Sequence, residues 1–118
     1  MNKFMLRTVV AGIVLFVAVW GVRAADETAT VKGEVVDMAC YLDHGAHGEK
    51  HAACAAKCIE SGLPVGIKGE DAKTYLLIGE HKPLNSELAQ YAGKTITVQG
   101  KIVTRDGINM IENAEIQK

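Results

Sequence analysis

The sequence predicts a mainly β domain, a small five-stranded barrel with helices in two of its connections. Three observations predict this fold class: five segments suit strands, an alanine-rich helical pattern follows the first, and a shorter helical pattern lies between the third and fourth. Alternation of apolar and polar residues is typical of strands with one buried face. The residues after position 24 are enough for one domain with one modest core.

Residues 1–24 have the pattern of a cleavable signal peptide. Lys3 and Arg7 form a positive start, residues 8–22 carry no charge, and small or medium side chains precede the cleavage point after Ala24. This three-part form is typical of secretory signals, and the apolar run is shorter than the roughly 20 residues that span a bilayer. We therefore expect an exported, periplasmic protein that has no membrane association once the signal is cleaved.

The first predicted strand and the helix after it follow a short polar lead at residues 25–29. Residues 30–38 alternate as a strand, and Gly33 inside them indicates a bulge or the sharp coil that small barrels need. A loop is expected at 43–48. The alanine-rich stretch at about 48–61 then predicts a helix that ends before a glycine and a proline.

The remaining elements complete a five-stranded order. A hairpin, a short helix and a second hairpin with an Asp-Gly turn are expected, with strands at 65–68, 73–78, 94–104 and 108–116 and the helix at 83–91. A helix between the third and fourth of five strands is the layout of an OB-fold. The sequence thus predicts an OB-fold-like domain over residues 30–118.

Three stretches carry a resemblance to a known group of proteins. Residues 33–37 (GEVVD) and 91–103 (YAGKTITVQGKIV) resemble exported bacterial OB-fold proteins. Residues 37–42 (DMACYL), followed by a helix with histidine and cysteine, are similar to small periplasmic members of that group, which are mostly uncharacterised. The resemblance covers nearly all of the chain after the leader, and it implies the fold rather than an activity.

The charge balance and the missing motifs exclude several classes of function. Residues 25–118 contain ten basic and fourteen acidic residues, so no basic footprint for nucleic acid or an anionic membrane is present. The sequence has no pattern of a catalytic triad, a phosphate-binding loop or a catalytic carboxylate pair. We therefore expect a binding protein rather than an enzyme, with another periplasmic protein as its partner and no nucleic acid.

Cysteines and histidines concentrate in the inserted segment. Between residues 38 and 58 lie Cys40, His44, His47, His51, Cys54 and Cys58. Steps of three and four residues place the last three on one face of the predicted helix. Cys40, at the predicted end of the first strand, would supply a thiol to the same face.

This pattern predicts one bound ion, Cu(I) or Zn(II), because thiolates and imidazoles are the donors that these metals prefer. The expected ligands are Cys40, His51, Cys54 and Cys58, with His47, His44 and Met38 as additional candidates. Asp37 and Asp43 are candidates for capping a helix or orienting a histidine. The function would be metal sequestration, delivery or sensing.

Two other interpretations of the cysteines stay open. Cys40 would form a disulfide with Cys54 or Cys58, since an oxidising compartment favours pairing and an odd count leaves one thiol over. Such a bond would either brace an OB-fold interaction module without metal or take part in thiol–disulfide exchange, the one enzymatic alternative. The histidines would then be solvated loop residues.

Overall fold

The computed structural model describes residues 28–118, so the predicted signal peptide and the cleavage point lie outside the described residues. The strands are β1 Thr28–Asp37, β2 Val65–Gly69, β3 Thr74–Leu77, β4 Thr95–Arg105 and β5 Ile108–Gln117. The helices are α1 Met38–His44, α2 Ala52–Glu60 and α3 Asn85–Leu88, with 3-10 turns at Glu49–His51 and Ala89–Tyr91. None of the helices within 28–118 is long and apolar enough to cross a membrane.

Within residues 28–118 the five strands close into one barrel in the order β1-β2-β3-β5-β4. The barrel closes because β1 pairs antiparallel with both β2 and β4, while β3 and β5 pair in parallel. Helix α3 lies between β3 and β4, and the helical insertion follows β1. The predicted fold class, a mainly β five-stranded barrel of OB-fold type, is confirmed.

Strand β1 pairs with two neighbouring strands, and the change from one partner to the other occurs near Gly33. Residues 28–34 pair with β4 and residues 33–37 pair with β2, so the strand changes partner over Gly33 and Glu34. A Cβ atom at Gly33 would collide with the carbonyl oxygen of Lys68. Only glycine allows this close approach of two backbones.

The hairpin between β4 and β5 follows the prediction from its turn residues. Asp106 and Gly107 both have positive φ, 52° and 81°. This combination is the conformation that a two-residue hairpin turn requires, and Asp-Gly adopts it readily.

The core fills the barrel and the space beneath the helices. Its apolar side chains come from all five strands, from α2 and from the segment around α3, and the most deeply buried of them are Val35, Ile59, Ile67, Leu88, Val98 and Ile111. Ile59 belongs to α2, so this helix covers the barrel core with an apolar side chain of its own. The insertion is therefore held against the barrel by hydrophobic burial.

The structure corrects the predicted end of the first strand. β1 ends at Asp37, and residues 38–44 form α1 where the sequence analysis placed the strand's last residue and the start of a loop. Cys40 consequently lies on a helix and not at a strand end. The reason is local: the Asp37 side chain caps the helix start, and Gly45, with a φ of 67°, ends it.

Two element boundaries also differ from the prediction. β1 begins at Thr28, which pairs with Lys101, so the last two residues of the predicted lead are part of the barrel. The predicted helix at 48–61 consists of a 3-10 turn, Glu49–His51, that continues into α2. Helix ends commonly tighten in this way.

Candidate metal centre

The insertion that connects β1 to β2 is fixed at several points. The Glu34 carboxylate accepts a hydrogen bond of 2.9 Å from the backbone N–H of Gly48 and so holds the start of the 3-10 turn. At the far end of the insertion, the side-chain Nδ2 of Asn85 donates hydrogen bonds to the backbone carbonyl oxygens of Ile59 and Leu63, at 2.8 and 2.7 Å. These contacts fix the 3-10 turn that carries His51 and the helix α2 that carries Cys54 and Cys58.

Asp37 is the buried charged residue at the base of this insertion. Its side chain is 1% exposed, and within residues 28–118 no other charged side chain is buried. The carboxylate accepts hydrogen bonds from the backbone N–H groups of Ala39, at 3.0 Å, and Cys40, at 3.4 Å. Since burying a carboxylate is costly, this position requires compensating partners. The two N–H groups use only part of the capacity of its oxygens.

Asp37, Cys40 and His51 bring three potential metal ligands together. A carboxylate oxygen, the Cys40 sulfur and a His51 ring nitrogen all lie within 4.8 Å of one another. The three side chains come from the end of β1, from α1 and from the 3-10 turn, so the fold assembles them. Ligand atoms around one tetrahedral zinc ion are about 3.3–3.8 Å apart at its usual bond lengths. The spacing of the three atoms is thus at most about 1.5 Å wider than around a bound zinc ion.

His51 carries an unsatisfied nitrogen at this site. Its Nε2 atom is buried and has no hydrogen-bond partner among the described residues. Buried polar atoms almost always have a partner, and an orphaned one calls for an explanation such as an ion. An imidazole nitrogen beside a carboxylate and a thiol fits the donor chemistry of a metal centre.

The surroundings of Cys40 and Cys58 raise the pKa values of these two thiols. Hydrogen bonding to the Asp37 carboxylate, together with burial and the charge of Asp37, raises the pKa of Cys40 to about 12. Burial first, and then the charge of Asp37, raises the pKa of Cys58. A metal ion would have to displace the thiol proton in order to bind, so binding would release protons.

The structure distributes the predicted ligands unevenly. Cys40 and His51 are in the central group, and Cys58 lies close enough to interact with both Cys40 and Asp37. Cys54 is exposed, one helical turn before Cys58. All three cysteines are free thiols in the structure of residues 28–118.

The additional candidates have other contacts. His44 lies 2.8 Å from the carboxylate of Asp43 and is exposed. Nδ1 of His47 is 2.7 Å from the carbonyl oxygen of Gly45. The His47 and Tyr41 rings meet edge to face, with their centroids 6.1 Å apart. Met38 packs its sulfur against Gly66 of β2. The proposed ligand set therefore does not use these three residues.

Asp37 is the donor that the sequence analysis did not place among the ligands. It was assigned a capping or orienting role, and the structure confirms the cap. The signal that would have identified it as a ligand is its spacing from Cys40, because a side chain that caps a helix lies beside residue three of that helix. That inference needed α1, which was not predicted.

The fold and the site define a class: a small OB-fold-like barrel with a candidate metal centre in the insertion after its first strand. No family model, no curated protein and no solved structure matches the chain.

Proposed function

We propose that the protein is an exported, periplasmic metal-binding protein that holds one ion at Asp37, Cys40 and His51. The observation that supports this most is that His51, whose buried Nε2 has no partner among the described residues, belongs with Asp37 and Cys40 to a group of three residues whose potential ligand atoms lie within 4.8 Å of one another. The resemblance to exported OB-fold proteins and the pattern of residues 1–24 support export.

The donor set favours Zn(II) over Cu(I). Zinc accepts oxygen, nitrogen and sulfur ligands together, whereas Cu(I) selects thiolates and thioethers. The buried Asp37 contributes a carboxylate, and the thioether of Met38 packs against β2. A site for Cu(I) would be expected to replace the carboxylate with a second sulfur atom.

Three protein donors favour an exchangeable ion over a structural one. Structural zinc sites usually have four protein ligands, and sites with three leave one position open. The five strands close the barrel by pairing with one another, although Ala55 and Ile59 of α2 belong to the same core. The proposed role is therefore sequestration or delivery of zinc.

The thiol environment argues against thiol–disulfide exchange as the main function. Reactive cysteines have lowered pKa values, because the thiolate is the nucleophile. The pKa values of Cys40 and Cys58 are instead raised. Such thiols become efficient donors only when a cation replaces the proton.

Metal binding by the protein exported with its own leader tests this proposal. The protein is purified anaerobically from the periplasm, and Zn(II) and Cu(I) are titrated in competition with chromophoric chelators. We expect one equivalent of Zn(II), and we expect Cys40→Ser and His51→Gln to weaken zinc binding by more than about 100-fold, beyond the effect of losing an outer-shell partner.

His44→Gln is the matched control, since it removes an exposed imidazole outside the group. This variant should keep the wild-type affinity. Equal losses in His44→Gln and His51→Gln, or a wild-type protein that binds no zinc, would overturn the proposal. Preference for Cu(I) over Zn(II) would overturn the assignment of the metal.

A further inference from the structure

The three thiols form a series that leads from solvent to the proposed metal site. Cys54 is exposed, Cys58 and Cys40 are half-buried, and Asp37 beyond them is 1% exposed. Cys54 thus contacts solvent, whereas Cys58 and Cys40 lie closer to the buried carboxylate.

Neighbouring thiols in this series are within reach of each other. Cys54 and Cys58 are four residues apart on α2, which places their side chains on one face about 5–6 Å apart at Cβ. The Cys58 thiol is near enough to interact electrostatically with Cys54, with Cys40 and with Asp37. Cys58 is therefore the link between the exposed thiol and the buried donors.

We infer that Cys54 and Cys58 form a transfer path along which a zinc ion passes between an external zinc complex and Asp37, Cys40 and His51. This inference rests on the proposed function and assigns the two cysteines of α2 a role in exchange rather than in holding the ion. The substrate is a zinc ion carried by small oxygen or nitrogen ligands, which an exposed thiol can displace one at a time.

Each step of the transfer is a ligand exchange without electron transfer. The Cys54 sulfur binds the zinc ion as a bond from zinc to the external ligand breaks, and the thiol proton passes to that ligand or to water. Cys58 then replaces Cys54, and its thiol proton passes to the Cys54 sulfur as the bond from Cys54 to zinc breaks. Cys40 finally replaces Cys58 in the same way, so the Cys40 proton passes to the Cys58 sulfur and both cysteines of α2 return to thiols.

The path predicts that a variant of Cys54 changes rates and leaves the equilibrium intact. Zinc loading from a chromophoric zinc–chelator complex is followed by stopped-flow absorbance under anaerobic conditions, on the full exported protein. We expect Cys54→Ser to slow loading and release by about tenfold, comparable to the loss of an outer-shell partner. Its zinc stoichiometry and equilibrium affinity should remain those of the wild type.

Ala53→Ser is the matched control, because it introduces the same hydroxyl at the neighbouring exposed position of α2. The Ala53→Ser variant should take up zinc at the wild-type rate. Cys58→Ser should slow loading at least as much as Cys54→Ser, since it interrupts the same path further inside.

The outcomes separate the path from the proposed function. A Cys54→Ser variant that binds and loads like the wild type would overturn the path and leave the metal site intact. A large loss of equilibrium affinity in Cys54→Ser would overturn the path in favour of Cys54 as a ligand. A wild-type protein that binds no zinc would overturn the proposed function and the path together.

Discussion

The barrel and its insertion differ in the buried groups that they contain and in the hydrogen-bond partners of those groups. In the barrel, backbone hydrogen bonds are made by the strand ladders, and the buried side chains are almost all apolar. The insertion and the strand end that leads into it combine a buried carboxylate, two half-buried thiols and an orphaned imidazole nitrogen. The strand ladders thus pair the barrel backbone, whereas the insertion contains a buried imidazole nitrogen without a partner among the described residues.

Because of this difference, we expect the stability of the fold and the binding of metal to depend on different residues. Apolar burial and ladder hydrogen bonds supply most of the stability of a small domain, and buried polar groups that lack partners reduce it. The protein keeps such groups in the insertion, in a segment whose attachment depends on Ile59, Asn85 and Glu34. Changes in the barrel should therefore act on stability, and changes among the donors should act on metal binding.

The largest expected effect on stability is in the barrel core. Ile67 of β2 is fully buried, and Ile67→Ala should lower the free energy of unfolding by about 2–5 kcal/mol because it leaves a cavity. Urea unfolding measures this change. Ile108→Ala is the matched control: its side chain is 63% exposed, and the same truncation should cost less than about 0.5 kcal/mol. Equal costs at both positions would contradict the assigned core.

A smaller effect is expected where the insertion is attached to the barrel. Asn85→Ala removes two hydrogen bonds to carbonyl oxygens at the end of α2, so we expect a loss of about 2 kcal/mol in the free energy of unfolding. Amide hydrogen exchange should accelerate more in α2 than in β4. Gln90→Ala, which removes one exposed hydrogen bond, is the control and should change neither. Uniform acceleration across the barrel would contradict a local anchor.

The hairpin between β2 and β3 contains a side-chain hydrogen bond that lies outside the candidate metal centre. The Tyr75 hydroxyl donates a hydrogen bond of 2.6 Å to Asp71, which lowers the pKa of that carboxyl. Tyr75→Phe should therefore reduce the free energy of unfolding at neutral pH by about 1 kcal/mol. Zinc affinity should remain that of the wild type, since neither residue belongs to the metal centre.

The pH dependence of this effect follows from the direction of the shift. Because the pKa of Asp71 is lower in the folded protein, its contribution is complete above the ordinary aspartate value of about 3.9 and is lost as the pH falls through the folded pKa. Urea unfolding at a series of acidic pH values should show a steeper decline in the wild type than in Tyr75→Phe. Parallel declines would contradict this assignment.

The smallest effect on stability is expected at the buried carboxylate itself. Asparagine caps a helix about as well as aspartate, so Asp37→Asn should keep α1 and change the free energy of unfolding of the metal-free protein by less than about 1 kcal/mol. Its zinc affinity should nevertheless fall, since the amide is a weaker ligand than the carboxylate. Unchanged zinc affinity in this variant would show that Asp37 acts only as a cap.

The sequence predicted the barrel better than the insertion for a physical reason. Strand alternation, the glycine at position 33 and the Asp-Gly turn are each local sequence signals, and the structure has a close backbone approach at Gly33 and a tight turn at Asp106 and Gly107. Helix α1 was missed because it spans only seven residues, and its two signals, Asp37 at the start and Gly45 at the end, were assigned to a strand and a loop. Short helices have too few residues for periodicity to show.

The candidate site was predicted in part for the same reason. The spacing of the helical stretch identified His51, which lies in the group with Asp37 and Cys40, and Cys58, which interacts with both of those residues. The same spacing also selected Cys54, which is exposed, since periodicity defines a face but not the depth of each residue along it. Asp37 needed the tertiary contact between the strand end and the insertion, which no local pattern encodes.

The most direct test of the central claim is the X-ray absorption spectrum of the protein loaded with one equivalent of Zn(II) under reducing conditions. The account predicts a first shell that combines sulfur at about 2.3 Å with nitrogen and oxygen at about 2.0–2.2 Å. A shell of only oxygen and nitrogen, without sulfur, would show that zinc binds elsewhere on the protein. That result would contradict the assignment of Asp37, Cys40 and His51 as the metal centre.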